Sequence, residues 1–336
     1  VKALDLQREA GLDVFTDGEY RRGIWYGPLH EAIEGLVRNE TPAAPVPAGV
    51  GWKGRGSDLA NEAMVEVGAT GVVVGAKLKQ KRRLTGHESA FLKEHAPGPW
   101  KITMPGVLQR AMGWWKPGVS DQFYASREEM VNDLVEMTRN EIKTLIDEGV
   151  SYIQLDSLTY VIQLADQRRR QVLIDSGQDP DKILDELIET DNATLEGIKR
   201  DGVTVGLHMC RGNNRSAWAA EGSYEVCAEK AFPRLNVDRF LLEYDTERAG
   251  GFEPLRFVPK DKMVVLGLIS SKEPALEPID ALRRRIEEAA KYVPIENLAI
   301  SPQCGFASTM RGNQLTWDEQ RRKLELIAET TRKVWG

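Results

Sequence analysis

Short apolar runs alternate along this chain with longer segments in which apolar residues recur every three or four positions. The runs are LDVFT (12–16), KITM (101–104), YIQL (152–155), VTVGL (203–207), RFLLE (239–243), MVVLGLI (263–269) and LAISP (298–302). Their shortness and their Gly, Pro or Asp neighbours predict strands. The longer segments predict amphipathic helices over 126–148, 180–200, 222–231, 277–292 and 316–334. In the first of these, Met130, Leu134, Met137, Ile142 and Leu145 fall on one broad face, and Gly149 is placed to end the helix. VVVGA (72–76) predicts a further strand inside an insertion around 39–100. That insertion opens with the proline-rich NETPAAPVPAGVGWKGRGSD (39–58), read as a long loop and not as a domain boundary.

Strands alternating with helices imply an α/β fold with parallel strands and right-handed crossovers. The expectation is one (β/α)8 TIM barrel domain over 1–336. Seven runs are one short of eight, and the chain opens on Val1 inside an apparent helix. A preceding segment carrying the first strand is therefore expected to complete the closed barrel. The rival is an open doubly wound sheet, which favours a Gly-rich turn after an early strand. No G-x-G-x-x-G sequence sits in a strand-to-helix turn here.

Composition narrows the function classes. With 41% hydrophobic and 29% charged residues in 336, the chain is that of a globular protein with a sizeable core. A net charge of −6 argues against a nucleic-acid partner, and the basic run KLKQKRRL (77–84) reads as a solvated face. No run approaches the roughly 20 apolar residues needed to span a bilayer, and no signal-peptide pattern is present. Three widely spaced cysteines do not make a disulfide framework. A reducing, cytoplasmic location is expected, where cysteines serve as metal ligands, nucleophiles or core residues. A homo-oligomer is compatible with all of this.

In a barrel, chemistry gathers at the C-terminal ends of the strands. The residues arriving there are Asp17 and Glu19 after 12–16, Asp156 after 152–155, His208 and Cys210 after 203–207, Glu243 at the end of 239–243, and Cys304 after 298–302. In an extended chain, residues two apart share a side, so His208 and Cys210 can face one ion. With Glu243 and Cys304 they would supply one nitrogen, two sulfurs and one oxygen, a set that favours zinc over magnesium or calcium. Plainer readings stand beside this one. A His-x-Cys pair also suits a core, Cys227 reads as a core residue of a helix, and Glu19 and Asp156 each suit a helix cap. Trp114 and Trp115, in a Gly/Pro-flanked MGWWKPG, suit either the core or a cover over a planar ligand.

HMC (208–210), the isolated Glu in LLEYD (241–245) and SPQCGF (301–306) resemble the zinc-binding elements of the cobalamin-independent methionine synthase family. The resemblance implies a (β/α)8 barrel whose catalytic zinc is held by His208, Cys210, Glu243 and Cys304. FTDGEYRR (15–22) resembles the family's Gly-Glu strand end, which would place Glu19 near the amino-acid substrate. YIQLDS (152–157) resembles the strand whose carboxylate, Asp156 here, meets the substrate amine, and TMPG (103–106) resembles the loop before the folate region. Two departures stand out: Ser157 replaces a carboxylate, and Ser270 in LISSKEP stands in place of a proton-donating histidine. The loop after Cys210, RGNN, is also longer than in the large members.

The resemblance implies a zinc-dependent methyltransferase of methionine biosynthesis. Its partners would be a small-molecule thiol, homocysteine above all, and an alkyl donor such as methyl-tetrahydrofolate. Glu19, Asp156 and Ser270 are its catalytic candidates. Glu19, Asp156, Trp114 and Trp115 are its substrate-binding candidates. Short single-barrel relatives also include epoxide-opening transferases that use coenzyme M. An epoxyalkane–coenzyme M type reaction, or a barrel that only binds zinc or a small molecule, is therefore the alternative.

Overall fold

The computed structural model of the protein describes residues 1–40, 50–68 and 71–336. Among these, β1 (Ile33–Arg38) and β2 (Val72–Gln80) form an antiparallel pair of their own. The strands β3 (Lys101–Pro105), β4 (Tyr152–Asp156), β5 (Thr204–Met209), β6 (Arg239–Glu243), β7 (Met263–Ile269) and β8 (Leu298–Pro302) form one parallel sheet. Each of the six lies beside the next in chain order. A doubly wound sheet reverses its order at a switch point, and this one does not. Sequential parallel order with helical crossovers is the TIM-barrel type of α/β fold.

The segment 12–16 departs from its expected strand. Only Phe15 pairs, in a parallel bridge to Trp100: its N–H donates to Pro99 O at 2.8 Å, and Lys101 N–H donates to its carbonyl at 2.9 Å. Thr16 is taken out of the ladder by the side chain of Gln7, which accepts from its N–H at 3.0 Å and donates to its carbonyl at 2.8 Å. The chain then turns at once through Gly18 (φ +69°) and Glu19 (φ +56°). Phe15 thus marks a seventh place beside β3 without a strand to fill it.

β1 is the other departure. HEAIEGLVR has no strand-like alternation, because the helix Gly27–Ala32 runs directly into the strand at Ile33. A bulge at Gly35 (φ +102°) lets the strand follow β2, and a Cβ there would lie 2.8 Å from Lys77 O. β2 is also four residues longer than the run that predicts it, reaching Gln80. Residues 41–49 of the proline-rich stretch lie outside the described residues. Beyond it come the helices Ser57–Gly68 and Gly86–His95, the second ending before β3.

The outer helices follow the apolar spacing. Arg127–Asp147 buries Met130, Leu134, Ile142 and Leu145, is capped by Ser126 Oγ accepting from Glu129 N–H at 3.2 Å, and ends at Gly149 (φ +90°). Pro180–Ala193 stops short of the expected residue 200. Glu225–Arg234, Ile279–Ala289 and Trp317–Trp335 lie near their expected places. None of the described helices is long and apolar enough to cross a membrane.

The alternation within the strands decides where polar groups go. On β3 to β5, Ile102, Met104, Ile153, Leu155, Val205, Leu207 and Met209 join the main apolar core under the helices. Thr103, Gln154, Asp156 and His208 occupy the alternate positions and are nonetheless buried. The opposite face of the sheet is therefore polar, and it leads to the strand ends.

Candidate metal centre

The register of β4 and β5 sets Asp156 directly beside His208. Cys210 follows His208 by two residues, on the same side of the chain. Cys304 arrives from two residues beyond β8. The ligand atoms of His208, Cys210 and Cys304 all lie within 4.8 Å of one another, and Cys304 Sγ stands 3.7 Å from His208 Nε2. Ligand bonds of zinc to sulfur and nitrogen, set tetrahedrally, put such a pair about 3.6 Å apart. One imidazole and two sulfurs form a donor set that suits zinc and does not suit magnesium or calcium. The three residues therefore fit a zinc ion.

The electrostatics of the two thiols agree with that fit. The Cys304 thiol is held well below its usual value, because a hydrogen bond from Cys210 outweighs burial and His208 and Lys272 add positive charge. The same hydrogen bond and burial push the Cys210 thiol up. One thiolate is thus stabilised by its neighbours before any ion is considered. Cys304 and Asp156 also raise the His208 pKa, although burial acts against them. Cys227 is a buried core residue of the helix Glu225–Arg234, away from this group.

Glu243 ends β6 fully buried, but it is not part of the His/Cys/Cys group. One of its oxygens accepts from the backbone N–H of Arg211. The other accepts from Arg248 at 2.6 Å, with Lys272 Nζ at 3.7 Å. Burial would raise its pKa, yet Lys272, Arg211 and Arg248 together hold the carboxyl down at about 2. Arg211 is itself fully buried and donates to the carbonyls of Gly222 (2.6 Å), Glu243 (3.1 Å) and Ala249 (3.3 Å). Its backbone and side chain thus fasten the segment after Cys210 to the end of β6.

A second polar group lies towards β3. Glu19 accepts from the Thr103 hydroxyl at 2.5 Å and lies 3.3 Å from Arg22. Arg22 is claimed chiefly by Glu88, at 2.6 and 2.5 Å, and by Thr103 O at 2.6 Å. Burial therefore lifts Glu19 to about 7; Arg22 lowers it, Asp156 raises it, Thr103 lowers it and Glu88 raises it. Asp156 is likewise raised by burial, against the pull of His208 and the Gln154 amide, which donates to it at 2.7 Å. Lys101 reaches Gln154 Oε1 at 2.7 Å, and its pKa is lowered by burial. Two carboxyls whose pKa values burial raises thus stand on the β3 and β4 side of the His/Cys/Cys group.

The other expected site residues are placed as follows. Ser270 follows β7; its N–H donates to Glu277 at 2.9 Å and its Oγ accepts from Lys272 N–H at 3.3 Å. Trp114 ends the helix Val107–Trp114 inside the apolar core, 6.4 Å ring to ring from His30. Trp115 is half-buried against that core. Of the two tryptophans, then, only Trp115 keeps part of its ring uncovered.

The stretch after Cys210 is a clasp. Lys53 and Trp218 pair through backbone hydrogen bonds of 2.8 and 3.0 Å, which ties the insertion to the segment after Cys210. Asn213 donates to Gly305 O at 2.7 Å, next to Cys304. Ser216 N–H donates to Asn313 Oδ1 at 2.9 Å, and Ser216 Oγ accepts from Gln314 N–H at 2.9 Å. Arg215 (φ +52°) and Ser216 (φ +72°) hold left-handed backbone, a conformation that costs about 1 kcal/mol or more for residues other than glycine.

Sequence reasoning missed Arg22, Glu88, Lys101, Gln154, Arg211, Arg248 and Lys272. For Lys272 a signal was present: a lysine two residues beyond Ser270, at the end of a fully apolar strand. The Arg22–Glu88 pair spans 66 positions and left no local trace.

The chain was compared with known proteins. The family model described as the catalytic domain of the cobalamin-independent synthase matches residues 1–333. The uncharacterised protein YxjH of Bacillus subtilis is 35% identical over 336 residues, covering 99% of this chain and 84% of that one. The methionine synthase of Pyrococcus abyssi is 28% identical over 308 residues, covering 91% of this chain and 74% of that one. A solved structure, the putative vitamin-B12 independent methionine synthase from Listeria monocytogenes, superposes with a TM-score of 0.68 at 25% identity, covering 99% of this chain and 85% of that one.

Proposed function

The chain belongs to the cobalamin-independent synthase catalytic-domain family, and from that premise we propose that it is a zinc-dependent transferase that moves a methyl group onto a small thiol, homocysteine or a near relative. The observation that carries this reading is the convergence of His208, Cys210 and Cys304 within 4.8 Å at the strand ends. These three residues would hold the ion, and Glu243 stands beside them as a replaceable fourth ligand. When bound, zinc takes the proton off a coordinated thiol, which otherwise yields little thiolate near pH 7.

The chain's own residues do the rest. Burial raises both Glu19 and Asp156 although Arg22 and Lys101 act on them, since Arg22 is drawn chiefly to Glu88 and Lys101 points its hydrogen bond at the Gln154 amide. A substrate ammonium placed between them adds positive charge and orients the sulfur towards the metal. Trp115 serves as the aromatic cover, whereas Trp114 acts as a core residue. Ser270 stands on the donor side, at the end of β7. Two unpaired cysteines at a metal centre suit a reducing compartment such as the cytoplasm.

Ser270 also favours a second reading. The loop after β7 begins without an imidazole, and the Ser270 hydroxyl accepts from Lys272 N–H and hydrogen-bonds the Asp245 carboxylate. An epoxide opened by the coenzyme M thiolate, its C–O bond breaking as the C–S bond forms and the resulting alkoxide taking a proton from water in place of an imidazole, is the alternative. The deciding experiment gives the zinc-loaded protein one thiol at a time with methyl-tetrahydrofolate or an epoxide. Zinc-edge absorption then counts sulfur ligands before and after thiol addition. One added sulfur and a thioether product are expected. Full activity in a metal-free preparation would refute the proposal.

A further inference from the structure

Lys272 has no part in the reading above. Its side chain is 3% exposed, and its ammonium meets no hydrogen-bond acceptor among the described residues. The closest opposite charge is Glu243 Oε1, at 3.7 Å. A buried ammonium with unfilled donors destabilises a fold. Lys272 lies within electrostatic reach of Glu243, Cys210 and Cys304.

Glu243 is contested from two sides. Arg248 at 2.6 Å and Lys272 at 3.7 Å share one oxygen, the other accepts from Arg211 N–H, and the carboxylate stands outside the His208–Cys210–Cys304 group although it acts on the Cys210 thiol. If Glu243 joins a dication already held by two thiolates, the group becomes negative and Lys272 gives up its nearest carboxylate and is left to Asp245. If Glu243 stays with Arg248 and Lys272, the fourth position is left to an external thiolate. The negative charge that this sulfur brings is then stabilised by the same ammonium. Lys272 therefore favours the thiol over Glu243 in both arrangements.

We propose that Lys272 is a positioning residue that sets thiol affinity: it draws Glu243 away from the His208–Cys210–Cys304 group and leaves the fourth position to an incoming thiol. The inference rests on the zinc reading. Its test uses Lys272→Met and Lys272→Arg. Zinc affinity is measured by competition with a chelator. Affinity for L-homocysteine and for mercaptoethanesulfonate is measured by calorimetry on the zinc-loaded protein.

In Lys272→Met, zinc should be held about tenfold more tightly and the better thiol about tenfold more weakly. Lys272→Arg, which keeps the charge, should stay within about threefold of the parent in both. A merely structural role would weaken zinc and thiol together. Affinities that move in the same direction, or do not move, overturn the proposal. If Lys272→Met does not fold, Lys272→Arg decides alone, and a loss of thiol affinity beyond about threefold overturns it. An unsubstituted protein that takes up no zinc, or binds neither thiol when loaded, defeats the zinc reading itself, whatever Lys272 does.

Discussion

Replacing Glu19 by glutamine separates the carboxyl's charge from its shape. The Glu19 side chain is 22% exposed, and its pKa is pushed from 4.5 to about 7. Burial is the main cause; Arg22 opposes it and Asp156 adds to it. Between these two values the folded protein keeps a proton that the unfolded chain has released. The stabilisation is therefore fully present below pH 4.5 and is lost as pH rises through about 7. At about 1.4 kcal/mol per tenfold in proton affinity, the full span is about 3 kcal/mol, and partial exposure trims it towards about 2. Glutamine cannot ionise, and its oxygen still accepts from Thr103. Glu19→Gln should match the parent near pH 4 and exceed it by about 2–3 kcal/mol near pH 8.5. Urea unfolding across that range, variant minus parent, isolates Glu19 together with its interaction with Asp156, because Asp191 and Asp245, also raised by burial, are common to both. A difference that is flat with pH, or shrinks as pH rises, would refute the reasoning.

Cys304→Ser should lose zinc and thiol transfer together. Cys227→Ala should keep full metal content and lose only about 1–2 kcal/mol of stability, the cost of a small buried cavity; metal analysis beside urea midpoints checks both. Arg211→Met strands the carbonyls of Gly222, Glu243 and Ala249 and should cost about 3–5 kcal/mol. A shift below about 1 kcal/mol in urea unfolding would show that the clasp does not depend on Arg211.

The strands of the parallel sheet were legible where a short apolar run is bounded by turn residues. RFLLE, MVVLGLI and LAISP match β6, β7 and β8 at both ends. LDVFT was misleading because the side chain of Gln7, not a neighbouring strand, satisfies Thr16. β1 was illegible because helix passes into strand without a turn residue between them. At the site, strand-end reasoning singled out His208, Cys210, Cys304 and Asp156, and the topology does carry those positions to one rim. It also singled out Glu243, but it had no means of seeing that Arg211, Arg248 and Lys272 would compete for that carboxylate. Charge balance inside a fold depends on pairs distant in sequence, and no periodicity records them.

The clasp after Cys210 also bears on biogenesis. His208 and Cys304 are 96 residues apart, Asn213 reaches Gly305 across 92, and Lys53 reaches Glu221 across 168. A chain emerging from the ribosome displays His208 and Cys210 long before Cys304 exists. An ion held by this group would therefore not template the fold in the way it templates a zinc finger. The two thiols meet only once the last strand has docked, so on the zinc reading metal capture would report completed folding.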